Sequence, residues 1–265
     1  MLYIIQTALQ LGCVYSFVAL ALFLSYRILD IADLTTDGCF VLGMAVSVSC
    51  CAGGHPFAGV ILGMIAGGCA GCVTAVLQTQ LGVPSILAGI VTNTGLYTIN
   101  LMAMGWSSNI SLLKNETIFS LFKKTNIGGA WNAIILAGMI ALCAMVLMKW
   151  FLSTRLGLSI RATGDNRDMV SASSINPRFT ILVGLVVANM FTGLSGALAG
   201  QLQKSADINA GSGIVTIGLA TLIIGETLIQ GRKSIGRNIC ACLVGNIVYR
   251  CIYAFVLQTH IIPVE

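Results

Sequence analysis

The stretch Lys149–Arg178, KWFLSTRLGLSIRATGDNRDMVSASSINPR, is the longest polar segment in a chain that is otherwise mostly apolar. Long apolar runs precede and follow it, so it is predicted to be a loop that joins two membrane helices. Its five Lys and Arg residues outnumber its two acids. Two interpretations stay open: a docking segment that passes force from a partner to both helices, or a solvated loop that obeys the positive-inside rule.

The loop contains helix signals of its own. Residues 164–166, Gly-Asp-Asn, form a turn signal. Arg167–Ser174 has the length of two helical turns, and Asn166 is a suitable cap for them. Asn176 and Pro177 predict the cap and the first residue of the next apolar helix. We therefore expect a short helix held between two long ones.

The composition is that of a polytopic membrane protein. Of the 265 residues, 57% are hydrophobic and 9% are charged, whereas soluble domains carry roughly 25% charged residues. The net charge of +5 lies mainly in loops and does not indicate nucleic-acid binding. The sequence has no nucleophile–base pair, phosphate-binding loop or zinc-ligand pattern. Cys69 and Cys72 have Cys-x-x-Cys spacing, but they lie on an apolar helix, where packing is the better interpretation. We therefore expect no catalytic residues, no metal site and no cofactor bound by this chain.

Eight apolar runs predict about eight transmembrane helices, because a span needs about 20 apolar residues. The runs are Tyr3–Leu24, Gly38–Ala52, Phe57–Leu77, Val83–Met104, Trp131–Leu152, Pro177–Leu202, Gly211–Ile229 and Asn238–Leu257. The second run has only fifteen residues. As a helix it measures about 22 Å against a hydrocarbon core of ~30 Å, so at least one helix is predicted to be short or broken.

Basic residues set the predicted orientation. If the Lys149–Arg178 loop lies in the cytoplasm, counting spans outward puts Arg27 and the basic cluster of residues 232–237 on the same side. The N-terminus then lies outside. The segment Gly105–Ala130 also lies outside, in spite of its three lysines. Its ETIFSLFKK stretch predicts a short interfacial helix, and a contact site for an external partner is an equal alternative.

Three polar residues of the fourth run, Asn93, Tyr97 and Asn100, recur at intervals of four and three residues and therefore share one helical face. Asparagine facing lipid is costly, so this face is predicted to meet other helices or a water-filled path. We interpret it as a candidate substrate pathway. Hydrogen bonding between helices is an equally good alternative.

The polar stretch Ile31–Gly38, IADLTTDG, precedes the short second run. Asp33 or Asp37 is suited to cap a helix that starts inside the protein rather than at its surface. Broken helices occur in membranes only against protein or a cavity, and they often mark transport sites. We therefore include Thr36 and Asp37 among the predicted pathway residues. The alternative is that Ile31–Gly38 is an ordinary cytoplasmic loop that ends in a helix cap.

Two charges fall inside predicted spans. Glu226 lies within one turn of the inner end of the seventh run, and Arg250 lies near the centre of the eighth, on one face with Asn246 and Tyr253. An intramembrane charge is a functional hypothesis by default. The depths of the two charges differ, so we do not pair them. Snorkelling or a structural hydrogen-bond network is the alternative.

Glycines recur at spacings that let membrane helices approach closely. The two rows are Gly63, Gly67, Gly71 and Gly193, Gly196, Gly200. We expect these rows to serve helix packing.

Three segments resemble a known family: RILDIADLTTDGCFVLG (Arg27–Gly43), RATGDNRDMVSASSINP (Arg161–Pro177) and ADINAGSGIVTIGLATLIIGE (Ala206–Glu226). They are similar to the permease subunit of bacterial ABC importers, in the family that includes branched-chain amino acid and ribose permeases. The resemblance is greatest to the branch named for tryptophan or tyrosine transport, and it covers nearly the whole chain.

The resemblance implies a homodimer of permeases in the bacterial inner membrane, surrounded by lipid. Its implied partners are cytoplasmic ATP-binding subunits and an extracytoplasmic substrate-binding protein or lipoprotein. ATP and Mg²⁺ are then used by the partner ATPase, and this chain is not itself an enzyme.

The resemblance also implies that Ala162–Ile175 is a coupling helix that contacts the ATPase. Met169, Val170 and Ile175 are apolar in an otherwise polar loop, which suits insertion into a groove of a partner. The predicted coupling residues are Arg161, Asp165, Asn166, Met169, Val170 and Ile175.

These features predict an all-α polytopic membrane protein, with one permease domain over residues 1–265 and a coupling loop at residues 153–176. The predicted function is that of the permease subunit of an ABC importer for a small solute, an amino acid and in particular an aromatic one. An ion-coupled secondary transporter that uses Glu226 or Arg250, and a membrane anchor of an enzyme complex, are the alternatives.

Relatives of the family continue with a further apolar helix, whereas this sequence stops at Pro263, Val264 and Glu265. We therefore expect the natural parent to have a final helix after residue 265.

Overall fold

The computed structural model describes residues 2–113, 115–124, 131–229 and 234–258, and these form eleven α-helices and two short strands. The elements are α1 (Leu2–Leu22), α2 (Thr36–Ala52), α3 (Pro56–Thr79), α4 (Ser85–Ala103), β1 (Asn109–Ser111), α5 (Ile118–Lys124), α6 (Asn132–Ser153), α7 (Arg155–Asp165), α8 (Arg167–Ala172), α9 (Pro177–Gln203), β2 (Ser205–Asp207), α10 (Ile214–Leu228) and α11 (Ile235–Gln258). A π-helical turn, Phe23–Ile28, continues α1.

Eight of these helices, α1 to α4, α6 and α9 to α11, coincide with the eight predicted apolar runs. Within the described residues, six are long and apolar enough to cross a membrane: α1 with its π-helical turn, α3, α4, α6, α9 and α11. Helices α2 and α10 are apolar but shorter, at 17 and 15 residues. The expected helical membrane architecture is therefore confirmed, with α2 short as predicted and α10 short as well.

The hydrophobic core forms around α1, which is buried along most of its length. Phe17, Val18 and Leu20 are at most 1% exposed, and α1 packs against α6, α9, α10 and α11. The buried hydroxyl of Ser16 donates to the Cys13 carbonyl oxygen at 2.6 Å. Its burial therefore leaves no hydroxyl proton unpaired.

The predicted glycine rows meet where α3 and α2 pack on α9. A Cβ on Gly67 of α3 would lie 2.9 Å from Gly193 Cα. A Cβ on Gly196 would overlap the Phe40 carbonyl oxygen of α2. The three helices therefore touch backbone to backbone, as small residues permit in lipid. The expectation that these rows serve packing is confirmed.

The loop between α6 and α9 contains two helices where the sequence predicted one. Helix α7 continues through Gly164 and Asp165, so the predicted turn is wrong there, and only Asn166 is extended, between α7 and α8. Helix α7 begins at the Thr154 hydroxyl, which accepts a hydrogen bond from Gly157 N at 3.2 Å. Two glycines within its eleven residues lower helix propensity, which is why the sequence did not predict it.

Helices α8 and α9 begin at the predicted caps. Asn166 Oδ1 accepts from Met169 N at 3.0 Å. Asn176 Oδ1 accepts from Arg178 N at 3.0 Å, and Pro177 occupies the first turn of α9. Each cap satisfies a backbone N–H that a helix leaves unpaired at its start.

Two three-residue strands depart from the all-α prediction. They pair antiparallel, with Asn109 opposite Asp207 and Ser111 opposite Ser205. The pairing ties the segment after α4 to the segment after α9. Because α9 runs from α8 to β2, this β1–β2 end lies across the bundle from the α7–α8 end. Three residues show too little alternation to be predicted as a strand.

The helix predicted in ETIFSLFKK is α5. Ile118 and Phe119 are 8% and 7% exposed, and Ile118 N donates to Gln201 Oε1 of α9 at 3.0 Å. One side of this helix is therefore buried against the protein.

Residues 259–265 lie outside the described residues, and with them the expectation of a final helix beyond residue 265. Lys114, Arg232 and Lys233, which enter the argument on orientation, also lie outside them.

Candidate solute cavity and coupling segment

A cavity of about 350 Å³ lies between the first two turns of α2, one face of α4 and the loop that follows β2. It is lined by Asp37, Gly38, Val41, Asn93, Thr94, Tyr97, Asn100, Ile208, Asn209, Gly211 and Ser212. Four of the five predicted pathway residues, those at positions 37, 93, 97 and 100, therefore line one space. Thr36 is not among its lining residues, and the transport role of all five stays a prediction.

The polar face of α4 combines the two alternatives that the sequence left open. Asn100 is 2% exposed, and its Nδ2 donates to the Gly38 carbonyl oxygen of α2 at 3.2 Å. A Cβ on Gly38 would overlap Asn93 Oδ1, so glycine there lets α4 approach α2. The same face presents Asn93, half-buried, and Tyr97, half-exposed, to the cavity. It therefore both joins two helices and lines a polar space.

Asp37 caps a helix, but a different helix from the one predicted. Its Oδ1 accepts from Val215 N at 2.9 Å and its Oδ2 accepts from Gly213 N at 3.3 Å. These N–H groups belong to the start of α10, so Asp37 joins the first turn of α2 to the first turn of α10. Thr36 instead is 2% exposed, and its hydroxyl donates to the Asp33 carbonyl oxygen at 3.1 Å.

Asp33 supports the start of α2 inside the protein. It is 3% exposed, and its Oδ1 accepts from Thr35 N at 2.9 Å. Its Oδ2 accepts from Asn189 Nδ2 of α9 at 2.7 Å. The prediction of a helix that begins within the protein is confirmed. Sequence reasoning missed Asn189, and its only signal was an amide side chain near the middle of an apolar run.

The two intramembrane charges have separate partners, as their different depths predicted. Glu226 forms an ion pair with Arg27, with Oε1 3.0 Å from Nε. This pair joins the π-helical turn after α1 to the last turns of α10. The Arg250 guanidinium lies 3.8 Å from the centre of the Tyr15 ring, a cation–π contact between α11 and α1.

The predicted coupling residues are spread over α7, α8 and the residues that follow. Arg161 and Asp165 lie on α7, Asn166 is the cap of α8, and Ile175 follows α8. Met169 is 70% exposed, whereas Val170 is only 4% exposed. The expectation that Val170 inserts into a partner is therefore corrected, because its side chain is already buried within this chain.

Helix α7 is held firmly against the membrane helices. The hydroxyls of Thr163 and Thr180 share a hydrogen bond of 2.7 Å that joins α7 to α9. A Cβ on Gly164 would overlap the carbonyl oxygen of Ile28, so α7 touches the backbone of the π-helical turn directly. The same turn carries Arg27 and thus reaches Glu226 on α10.

Comparison with known proteins agrees with the resemblance found in the sequence. Residues 4–263 match the family described as branched-chain amino acid transport system / permease component. The chain is 30% identical to the tyrosine transport system permease protein of Clostridioides difficile (strain R20291), over 95% of this chain and 82% of that protein. It is 32% identical to an uncharacterized protein of Rickettsia prowazekii (strain Madrid E), over 99% of this chain and 92% of that protein.

A further relative is the D-allose transport system permease protein of Escherichia coli (strain K12), 30% identical over 82% of this chain and 64% of that protein. No solved structure matches the chain. Six candidate spans and these relatives identify a multi-pass protein of the bacterial inner membrane that serves as an ABC transporter permease. The chain belongs to the permease component family of branched-chain amino acid transport systems.

Proposed function

We propose that this chain is the permease subunit of an ATP-driven importer that moves an amino acid into the cytoplasm, with aromatic amino acids as the first candidates. The observation that carries the proposal is the polar cavity formed by α2, α4 and the loop after β2. Its volume of about 350 Å³ falls within the range of pockets that hold one small molecule. The similarity to a tyrosine transport permease over 95% of the chain supports the choice of substrate.

The family implies that ATP-binding subunits and a substrate-binding protein act with the permease. ATP and Mg²⁺ belong to those ATPase subunits, which dock on the α7–α8 end at the cytoplasmic face. The substrate-binding protein delivers the solute at the β1–β2 end, outside the membrane. This orientation follows the positive-inside rule, because the segment between α6 and α9 is basic.

Coupling to the ATPase runs through a short series of contacts. Met169 is exposed at the α7–α8 end and inserts into the ATPase. Movement of α7 is transmitted at Gly164 to the π-helical turn, and from Arg27 of that turn to Glu226 of α10. The other end of α10 is held by Asp37 at the cavity. Helix α10 therefore connects the docking segment to the solute cavity.

A second copy of the permease completes the transporter. Helix α4 presents large apolar side chains away from the bundle: Ile90, Val91 and Ile99 are each about half exposed, at 48%, 54% and 50%. Such a surface needs lipid or a partner helix in the membrane. This apolar surface lies on α4, the same helix that lines the cavity. A second copy packed against it would therefore extend the pathway that begins at the cavity.

The test is uptake by reconstituted vesicles that contain the permease with its ATPase and binding protein. Radiolabelled tyrosine should accumulate with ATP and not with a non-hydrolysable ATP analogue. Accumulation by the permease alone under an ion gradient would favour a secondary transporter. Glu226 and Arg250, the two charges that this alternative would use, are not among the described lining residues of the cavity.

A further inference from the structure

The cavity wall has one charged side chain among its described residues, and that side chain is the carboxylate of Asp37. Two backbone N–H groups at the start of α10 donate to it. An ionised carboxylate offers about four acceptor positions, so it can accept a further donor. The N–H groups and the helix dipole offset about half a charge, which leaves the wall negative.

A second acceptor in the wall has no donor. Asn100 is 2% exposed, and its Nδ2 is committed to the Gly38 carbonyl oxygen. That bond fixes the orientation of the amide. Its Oδ1 is buried and has no hydrogen-bond partner among the described residues. A buried acceptor without a donor is unfavourable, and its partial negative charge lies in a residue that lines the cavity.

The neighbouring surface suits an aromatic group. Tyr97 lies on the same face of α4 and is 51% exposed, so its ring is free to contact a flat apolar group. The cavity therefore combines a negative charge, an unmet acceptor and an accessible ring.

We infer that the cavity binds its solute through an ammonium group, which Asp37 accepts, while the side chain of the solute lies against Tyr97. This inference rests on the proposed function, because it assumes that the solute passes through this cavity. It deepens that function by naming the recognised group. Amines and α-amino acids are bound in preference to deaminated analogues and to neutral sugars or nucleosides.

The charge of the site is tested by cysteine modification. Ser212 is exposed and lines the cavity, so Ser212→Cys places a thiol there. The purified permease–ATPase complex is treated with a trimethylammonium or a sulfonate methanethiosulfonate reagent, and both rates are normalised to those of free cysteine. The parent chain without the new cysteine gives the background from native thiols. We expect the cationic reagent to react roughly three- to tenfold faster, as a nearby carboxylate would cause.

The charge variant Asp37→Asn keeps an oxygen for α10 and removes the negative charge. Combined with Ser212→Cys, it should bring the ratio of the two rates close to one. Thr94→Val is the matched control, because Thr94 lines the same cavity but its hydroxyl already donates to the Ile90 carbonyl oxygen at 2.9 Å. That variant should keep the preference for the cationic reagent. If Asp37→Asn does not assemble, the test rests on the modification rates of the two reagents at Ser212→Cys in the otherwise unchanged chain. Equal rates for the two reagents overturn the inference.

Protection of the same thiol tests the recognised group. Tyrosine and tyramine, which carry an ammonium group, should slow modification severalfold. The analogue 3-(4-hydroxyphenyl)propionate, which lacks it, should not. Equal protection by the deaminated analogue, or protection by tyramine that persists in Asp37→Asn, would refute ammonium recognition.

These outcomes separate the inference from the proposed function. ATP-driven uptake of amino acids without any preference for the cationic reagent or for amines would remove the inference and leave the function. A clear preference without ATP-driven uptake would remove the function and leave an amine-binding cavity.

Discussion

Asn93 lies beside Gly38, and it is one of the polar residues that line the cavity. Leucine at this position keeps a side chain of similar length, removes both polar atoms and adds apolar bulk. Because a polar solute would lose hydrogen bonds worth about 1–3 kcal/mol, we expect Asn93→Leu to lower uptake by roughly tenfold or more. Vesicle uptake is the measurement, and co-purification of the ATPase should persist.

Two other variants on α4 serve as comparisons for Asn93→Leu. Asn100→Ala should have a weaker effect, because it removes one neutral hydrogen bond worth about 1 kcal/mol. Thr94→Val should transport like the wild type, because its hydroxyl bonds within α4. Normal uptake by Asn93→Leu would remove this face of α4 from the pathway. Failure of that variant to assemble would instead make these asparagines structural.

Met169 is the residue that we expect to carry docking. It is 70% exposed on α8, so Met169→Asp should leave the permease folded while placing a charge in the groove of the ATPase. We expect ATP hydrolysis to continue in the assembled complex and uptake to be lost. The neighbouring variant Val170→Ala is the control: it removes buried methyl groups, at a cost of about 1.5 kcal/mol, and should lower the melting temperature without uncoupling. Normal transport by Met169→Asp would contradict docking at this residue.

Sequence spacing predicted which residues share a face, and it could not predict which faces meet. The interval pattern of α4 correctly joined Asn93, Tyr97 and Asn100 in one wall. It could not give Glu226 its partner, because Arg27 lies far away in the sequence and no local pattern connects them. The role of Asp37 was half predicted: a capping aspartate was expected, but the helix that it caps begins at residue 214.

At the scale of elements, hydrophobicity predicted the eight apolar helices because lipid demands long apolar runs. It did not predict α7, nor the π-helical turn that follows α1. Both are polar or irregular, and both depend on tertiary contact: Gly164 of α7 lies against the Ile28 carbonyl oxygen. Such elements have no periodic signal strong enough to identify them from sequence.

That contact gives a prediction for α7 as an element. Gly164→Ala places a Cβ where it would overlap a backbone oxygen, so α7 must shift away from the π-helical turn. We expect uptake per ATP hydrolysed to fall severalfold while the complex still assembles. The matched control is Gly138→Ala on α6, where a Cβ meets nothing within 4 Å and helix propensity improves by about 1 kcal/mol. Equal coupling in both variants would show that α7 does not transmit force at Gly164.

For the whole molecule, orientation in the membrane is the main prediction that rests on sequence alone. Leu113, next to β1, is 79% exposed, and Met169 at the other end is 70% exposed. Cysteines at these positions, in a chain whose exposed Cys69, Cys143 and Cys240 are replaced by serine, report the two sides. A membrane-impermeant maleimide should label Leu113→Cys in intact cells and Met169→Cys only after lysis. The reverse pattern would invert the topology.

The backbone contacts among α2, α3 and α9 make these three helices one rigid unit, against which other helices can move. Helices that touch at Gly67, Gly193 and Gly196 cannot slide without a clash, because close-packed interiors are bistable rather than deformable. Because Asp37 of α2 holds the start of α10, we expect motion during a cycle at the other end of α10, near Leu228. Spin labels at Val73 of α3 and Phe179 of α9, both within this rigid unit, should keep their separation when ATP binds. Labels at Phe179 of α9 and Leu228 of α10 should change their separation. A change confined to the first pair would show that the transporter opens at the glycine contacts.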